Sequence, residues 1–97
     1  MGLASYLREN LPDHTSSLNQ QELDDKITLW QERAGAYAVS SQRSVAKWCL
    51  LSLLAGDYFE NIPQVQEYLK RPEPDASAKV DYLLHDLWAI FLHNQTL

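Results

Sequence analysis

Along residues 80–97, "VDYLLHDLWAIFLHNQTL", apolar side chains recur at helical spacing. Val80, Leu83, Leu84, Leu87, Trp88, Phe91 and Leu92 fall on one stripe, while Tyr82, Ala89 and Ile90 fall outside it. Upstream, Leu23, Ile27, Trp30, Ala34 and Tyr37 are spaced by four and three and mark the buried face of another helix. Between these lies "KWCLLSLL", apolar almost all round from Trp48 to Leu54 apart from Ser52, the pattern of a central helix covered by neighbours on several sides. No segment alternates as a half-buried strand would. The pattern therefore predicts an all-α fold: one compact domain, residues 1–97, of four main helices and a short N-terminal one.

Punctuation sets the boundaries. A short helix over residues 3–9 stops near "NLPD", where Asn10, Pro12 and Asp13 favour a turn. Ser16 or Ser17 is the expected N-cap of the second helix, and Glu22 to Lys26 is ordered as a favourable i,i+4 pair. Ser40 or Ser41 caps the third helix, which runs to about residue 54, where Gly56 can take a left-handed conformation. Pro63 suits the first turn of a fourth helix ending before "RPEP". Asp75 or Ser77 caps the last helix, which reaches about residue 93. The linkers are short, as in a helical bundle.

Composition adds limits. With 97 residues, 45% apolar and 22% charged, the chain can bury a single core without disulfide or metal support. The one cysteine, Cys49, cannot form an internal disulfide. No basic segment followed by a long apolar run opens the chain, and no apolar run reaches ~18 residues, so neither a secretory signal nor a membrane span is expected. A cytoplasmic location follows as the expectation. Net charge is −5, from 8 basic and 13 acidic residues. Residues 1–35 carry three basic and six acidic side chains, against three and three in residues 36–70 and two and four in residues 71–97. Such a balance disfavours nucleic acid and anionic membranes as partners.

Candidate chemistry is sparse. His85 and His93 stand eight residues apart on one side of the last helix, ~12 Å along it, too far to share one metal ion. Asp81 and His85 have i,i+4 spacing and can pair, but two ligands make no site. His14 has no companion. Cys49 sits among Trp48, Leu50 and Leu51, where desolvation disfavours the thiolate. Asp24 and Asp25 diverge on a helix, as do Asp81 and Asp86, and the three glycines are isolated, so no carboxylate pair or phosphate loop forms. "VSSQRSVAKW" resembles the opening helix of a helix-turn-helix, yet Leu50 stands where the turn glycine belongs. The expectation is a protein that is not an enzyme and holds no cofactor or metal.

The stretch "YAVSSQRSVAKWCLLSLLAGDYFENIPQVQEYLKRPEPDASAKVDYLL" resembles a small helical protein or domain encoded in bacterial type VI secretion clusters, beside spike proteins and effector-delivery chaperones. Tyr37, Ser41, Arg43, Val45 and Ala46 match the opening of that pattern, roughly "YGITSERDVARF". Leu54, Asp57, Phe59, Pro63 and Leu69 match its middle, and Pro72 with Lys79, Val80 and Asp81 match its "DP" and "RLD". Ala38 replaces the family glycine, Gln42 and Ser44 replace a Glu and an Asp, and the family tryptophan is absent. The resemblance covers about half the chain. It implies a non-enzymatic co-chaperone or adaptor that helps load an effector onto the secretion spike, and it transfers no active site.

Such a role requires exposed apolar surface with a polar rim. The candidates are Trp88, Ile90 and Phe91 on the last helix and Tyr58 and Phe59 in the preceding loop, with Tyr82 and Trp30 as second choices. Val80, Leu84, Leu87 and Phe91 are expected in the core, leaving Ile90 and Tyr82 as the edge open to another chain, including a second copy of this one. The alternative is an immunity protein that neutralises a toxin by laying Glu22, Asp24, Asp25 and Glu32 against a basic site.

Overall fold

Helix α4, Gln42–Ala55, forms the centre of the molecule: Trp48, Cys49, Leu50, Leu51 and Ser52 are all buried, so no face of its middle turns meets water. It is packed by α1 (Leu3–Asn10), α3 (Gln20–Ala36), α6 (Ala76–Gln95) and a 3-10 turn, Phe59–Asn61, while α2 (Pro12–Thr15) and α5 (Pro63–Lys70) close the ends. The computed structural model describes the backbone of residues 2–95 and the side chains of residues 2–89. Among them there is no strand, and the all-α bundle expected from the periodicity is what forms.

The core follows the helical stripes. Leu23, Ile27, Trp30 and Ala34 of α3 are buried and Tyr37 half-buried, meeting Leu7 of α1, Val80 of α6 and the α4 run in one contiguous cluster. Trp48 lies between two rings: Tyr37 stacks at 5.8 Å between centroids and Phe59 meets it at 4.7 Å, tilted by 57°. Such pairs add to plain area burial.

Several caps behave as their residues dictate. Ser41 accepts from the Ser44 amide, Asp75 from the Ala78 amide, and Pro63 opens α5. Two boundaries differ from expectation. The "NLPD" turn contains a four-residue helix, α2, because Pro12 stands at its first position and buried Leu11 pulls the chain inward. Arg8 then holds α2 by donating to the carbonyls of Thr15 and Leu18 at 3.1 and 3.0 Å. The N-cap of α3 is Asn19, not Ser16 or Ser17. Asn19 accepts from the Glu22 amide while Glu22 accepts from the Asn19 amide, a reciprocal box. Glu22 is thereby spent on the cap, and Lys26 turns instead to Asp57, 3.1 Å away.

Helix α3 ends in a Schellman turn. Val39 N–H donates to Ala34 C=O, Ala38 N–H donates to Gly35 C=O, and Ala38 sits at φ +64°. Gly56, after α4, has φ +110° with ψ 159°, an extended conformation open only to glycine and not the left-handed helical one expected. From it the chain delivers Asp57 to Lys26 and to the Trp30 indole N–H, 3.2 Å away.

Candidate functional site

Helices α1 and α6 both lean on α4, and an open groove of about 450 Å³ runs between them. Leu50 of α4 is its buried floor. Tyr6 and Asn10, one turn apart on α1, form one wall; Leu84 and Trp88 of α6, both half-buried, form the other, with Asp81, His85 and Ala89 along the outer lip. The lip is braced. Lys47 of α4 pairs with Asp81, and the Asn10 amide donates to the Tyr6 carbonyl at 2.8 Å. The arrangement is an apolar trough with polar edges, suited to burying another chain's side chains.

The structure distributes the expected contact residues unevenly. Trp88 lines the groove. Tyr82, 60% exposed, stands on the same helix beyond the lip. It lies near Tyr68 of α5, whose phenol is raised above its ordinary pKa by burial first and by Tyr82 second. Tyr58 is exposed but belongs to another surface, with the Arg33 guanidinium 5.6 Å from its ring centre. Phe59 is a correction: it is 1% exposed and packed on Trp48, because the Gly56 bend turns its ring inward, so it offers nothing to a partner. Trp30, also 1% exposed and bonded to Asp57, is withdrawn on the same ground. The side chains of Ile90 and Phe91 lie outside the described residues.

Leu84 has two roles: it packs against the core, as expected beside fully buried Val80, and its half-buried side chain also lines the groove. Tyr6, Asn10 and Leu50 were not anticipated at all. The i,i+4 spacing of Tyr6 and Asn10 was the only signal available, since which helix α1 faces is a tertiary matter.

The remaining chemistry stays quiet. Burial pushes the Cys49 thiol from 9.0 up to about 12, so the nucleophilic form is suppressed. Asp81 pairs with Lys47 and not with His85. No group of three or more His, Cys, Asp or Glu side chains fit for a metal ion occurs among the described residues, and no helix among them is long and apolar enough to cross a membrane. On α3, Glu22, Asp24, Asp25 and Glu32 are exposed; Asp24 and Asp25 accept hydrogen bonds from Gln20 and Gln21 one turn earlier.

A second cavity of about 910 Å³ opens between α1, α3 and the start of α4, with Asp24 and Arg43 on its walls. Most residues that carry the family resemblance have framework roles. Ser41 caps α4, Asp57 holds Lys26 and Trp30, Phe59 and Leu69 are core, and Lys79 donates to the carbonyls of Leu69 and Arg71 at the end of α5. Arg43, exposed on the cavity wall, and Asp81, exposed on the groove lip, stand outside that framework. No protein-family model, curated protein or solved structure matches the chain.

Proposed function

We propose that this protein is a non-enzymatic protein-binding accessory factor, a co-chaperone or adaptor of bacterial type VI secretion that engages an effector, its delivery chaperone, or both. The observation that carries the binding role is the α1–α6 groove, an open apolar trough floored by Leu50 and walled by Tyr6, Leu84 and Trp88. An apolar floor with polar edges is the anatomy of a groove that takes another chain's side chains. The secretion context is supported by the fit of the resemblance to the backbone. Where the family pattern has glycine, Ala38 holds φ +64°, the conformation for which glycine is ordinarily selected.

Capture with the intact protein from its host, with the bound chains identified, tests the reading. Recovery of an effector with its chaperone supports it. If only a toxin domain is recovered, and that toxin loses activity when saturated, the immunity alternative replaces it. That alternative draws on the exposed carboxylates of α3, Asp24, Asp25 and Glu32, and implies association that slows sharply with added salt. Binding through the groove persists at high salt to the extent that apolar burial drives it. Light scattering at high concentration separates a third case, in which a second copy of this chain fills the groove.

A further inference from the structure

Arg43, at the second position of α4, is the one Lys or Arg among the described residues that lines the cavity between α1, α3 and the start of α4. Its side chain is exposed and makes no ion pair or hydrogen bond among the described residues. The first turn of α4 carries no acidic residue to compete for it. The carboxamides of Gln31 and Gln42, on the same walls, are equally unpartnered among the described residues. Beneath them Ile27 is buried and Val45 and Ala46 are half-buried, so an apolar floor lies under a rim of open carboxamides and one open guanidinium.

The carboxylate of the lining, Asp24, stands away from that guanidinium. Lys26, near the start of α3, reaches Asp57 just past the end of α4, so the two helices run antiparallel and Arg43 lies toward the end of α3. Asp24 Oδ1 accepts from the Gln20 carboxamide at 2.8 Å, and no salt bridge joins Asp24 to Arg43. The α3 wall is a single stripe, Gln20, Asp24, Ile27 and Gln31. From first to last it measures ~16 Å, the length of about five extended residues.

We infer that this cavity binds an extended peptide segment whose carboxylate meets Arg43. A guanidinium gives a carboxylate two parallel charge-assisted bonds, stronger than neutral ones. An extended chain presents N–H and C=O groups that need partners, and a carboxamide is donor and acceptor at once; a helix arrives with those groups already paired and leaves Gln31 and Gln42 unused. Apolar side chains on the peptide's inner face cover Ile27, Val45 and Ala46. The carboxylate belongs to an Asp or Glu side chain or to a chain terminus, which are the same chemistry at Arg43. This site is separate from the α1–α6 groove and does not depend on it.

The test titrates the full chain, labelled with nitrogen-15, with acetylated pentapeptides Ser-Val-Ser-Val-X and follows the amide resonances. X is Glu with an amidated end, Gln with a free terminal carboxylate, or Gln with an amidated end. One or both carboxylate peptides are expected to bind at least about tenfold more tightly than the neutral one, shifting the amides of Ile27, Gln31, Gln42 and Arg43. Binding of the Glu peptide alone assigns a side chain, of the free-ended peptide alone a chain terminus. Arg43→Gln is expected to erase the preference and Arg43→Lys to keep part of it, with circular dichroism checking that each variant stays folded. Equal binding of charged and neutral peptides, binding of none, shifts centred on Leu50 and Trp88, or a preference that survives Arg43→Gln overturns the inference. Each of those results leaves the adaptor role, read by capture of its partner, standing; a failed capture with the peptide preference intact removes the role and keeps the site.

Discussion

Arg33 Nε donates to Glu60 Oε2 at 3.0 Å, joining α3 to the 3-10 turn across 27 positions of sequence. The carboxylate is fully buried, its Oε1 has no hydrogen-bond partner among the described residues, and the guanidinium is one-third exposed. Bonding to Glu60 raises the Arg33 pKa above its ordinary value, with burial acting in the opposite sense. Together with Lys26 and Trp30 on Asp57, Arg33 completes a stripe at i, i+4 and i+7 of α3 that pins the loop after α4. The Arg33→Met variant is therefore expected to lose about 3 kcal/mol, the lower end for a broken buried pair because the arginine is partly solvated. The double variant Arg33→Met with Glu60→Met is expected to return to within about 1 kcal/mol of the parent, as urea titration of the four corners of the cycle will read.

Ala38 carries the steric cost of a left-handed backbone at the end of α3. A non-glycine residue there costs about 1–2 kcal/mol, partly offset by the larger unfolded-state entropy of glycine. Ala38→Gly is expected to stabilise the fold by roughly 0.5–1 kcal/mol and to raise Tm by about 4 °C for a domain of this size, measurable by calorimetry. An unchanged or lowered Tm contradicts the Schellman geometry.

Cys49 should resist alkylation. Its thiol, moved by burial from 9.0 to about 12, stays protonated in the folded chain at pH 8.5, so labelling by iodoacetamide is expected to track global unfolding. The sign of the pH dependence follows. Between pH 9 and about 12 the unfolded thiol has released its proton and the folded one has not. The stability contributed by the neutral thiol is thus present below pH 9 and is lost as pH rises toward 12. Cys49→Ser is expected to flatten that part of the stability profile.

Val80 and Leu84, four residues apart on α6, should respond differently to the same insult. Val80→Asp places an unpaired charge in a fully buried position, a penalty of several kcal/mol against a total of ~5–15 kcal/mol, and is expected to abolish the helical circular dichroism signal. Leu84→Asp faces the groove, keeps access to water, and is expected to remain folded while failing to capture a partner. Unfolding of both variants would return Leu84 to the core.

What the sequence determined by itself is the local part. The stripes of α3 and α4, the caps at Ser41 and Asp75, Pro63 at the start of α5 and the break at Gly56 are all written within a few residues of where they act, because helical periodicity and capping are satisfied by neighbours one turn away. Even the missed cap at Asn19 was legible, since Asn-x-x-Glu is a box in its own right. Only tertiary structure decided that Phe59 turns inward onto Trp48, that Lys26 leaves Glu22 for Asp57, that Asp81 takes Lys47, and that Tyr6 and Leu50 join Trp88 in one trough. Each of these depends on how two helices distant in sequence lie against a third. Side-chain periodicity says which face of a helix is buried, but not against what, nor where two neighbours on a common support fail to meet.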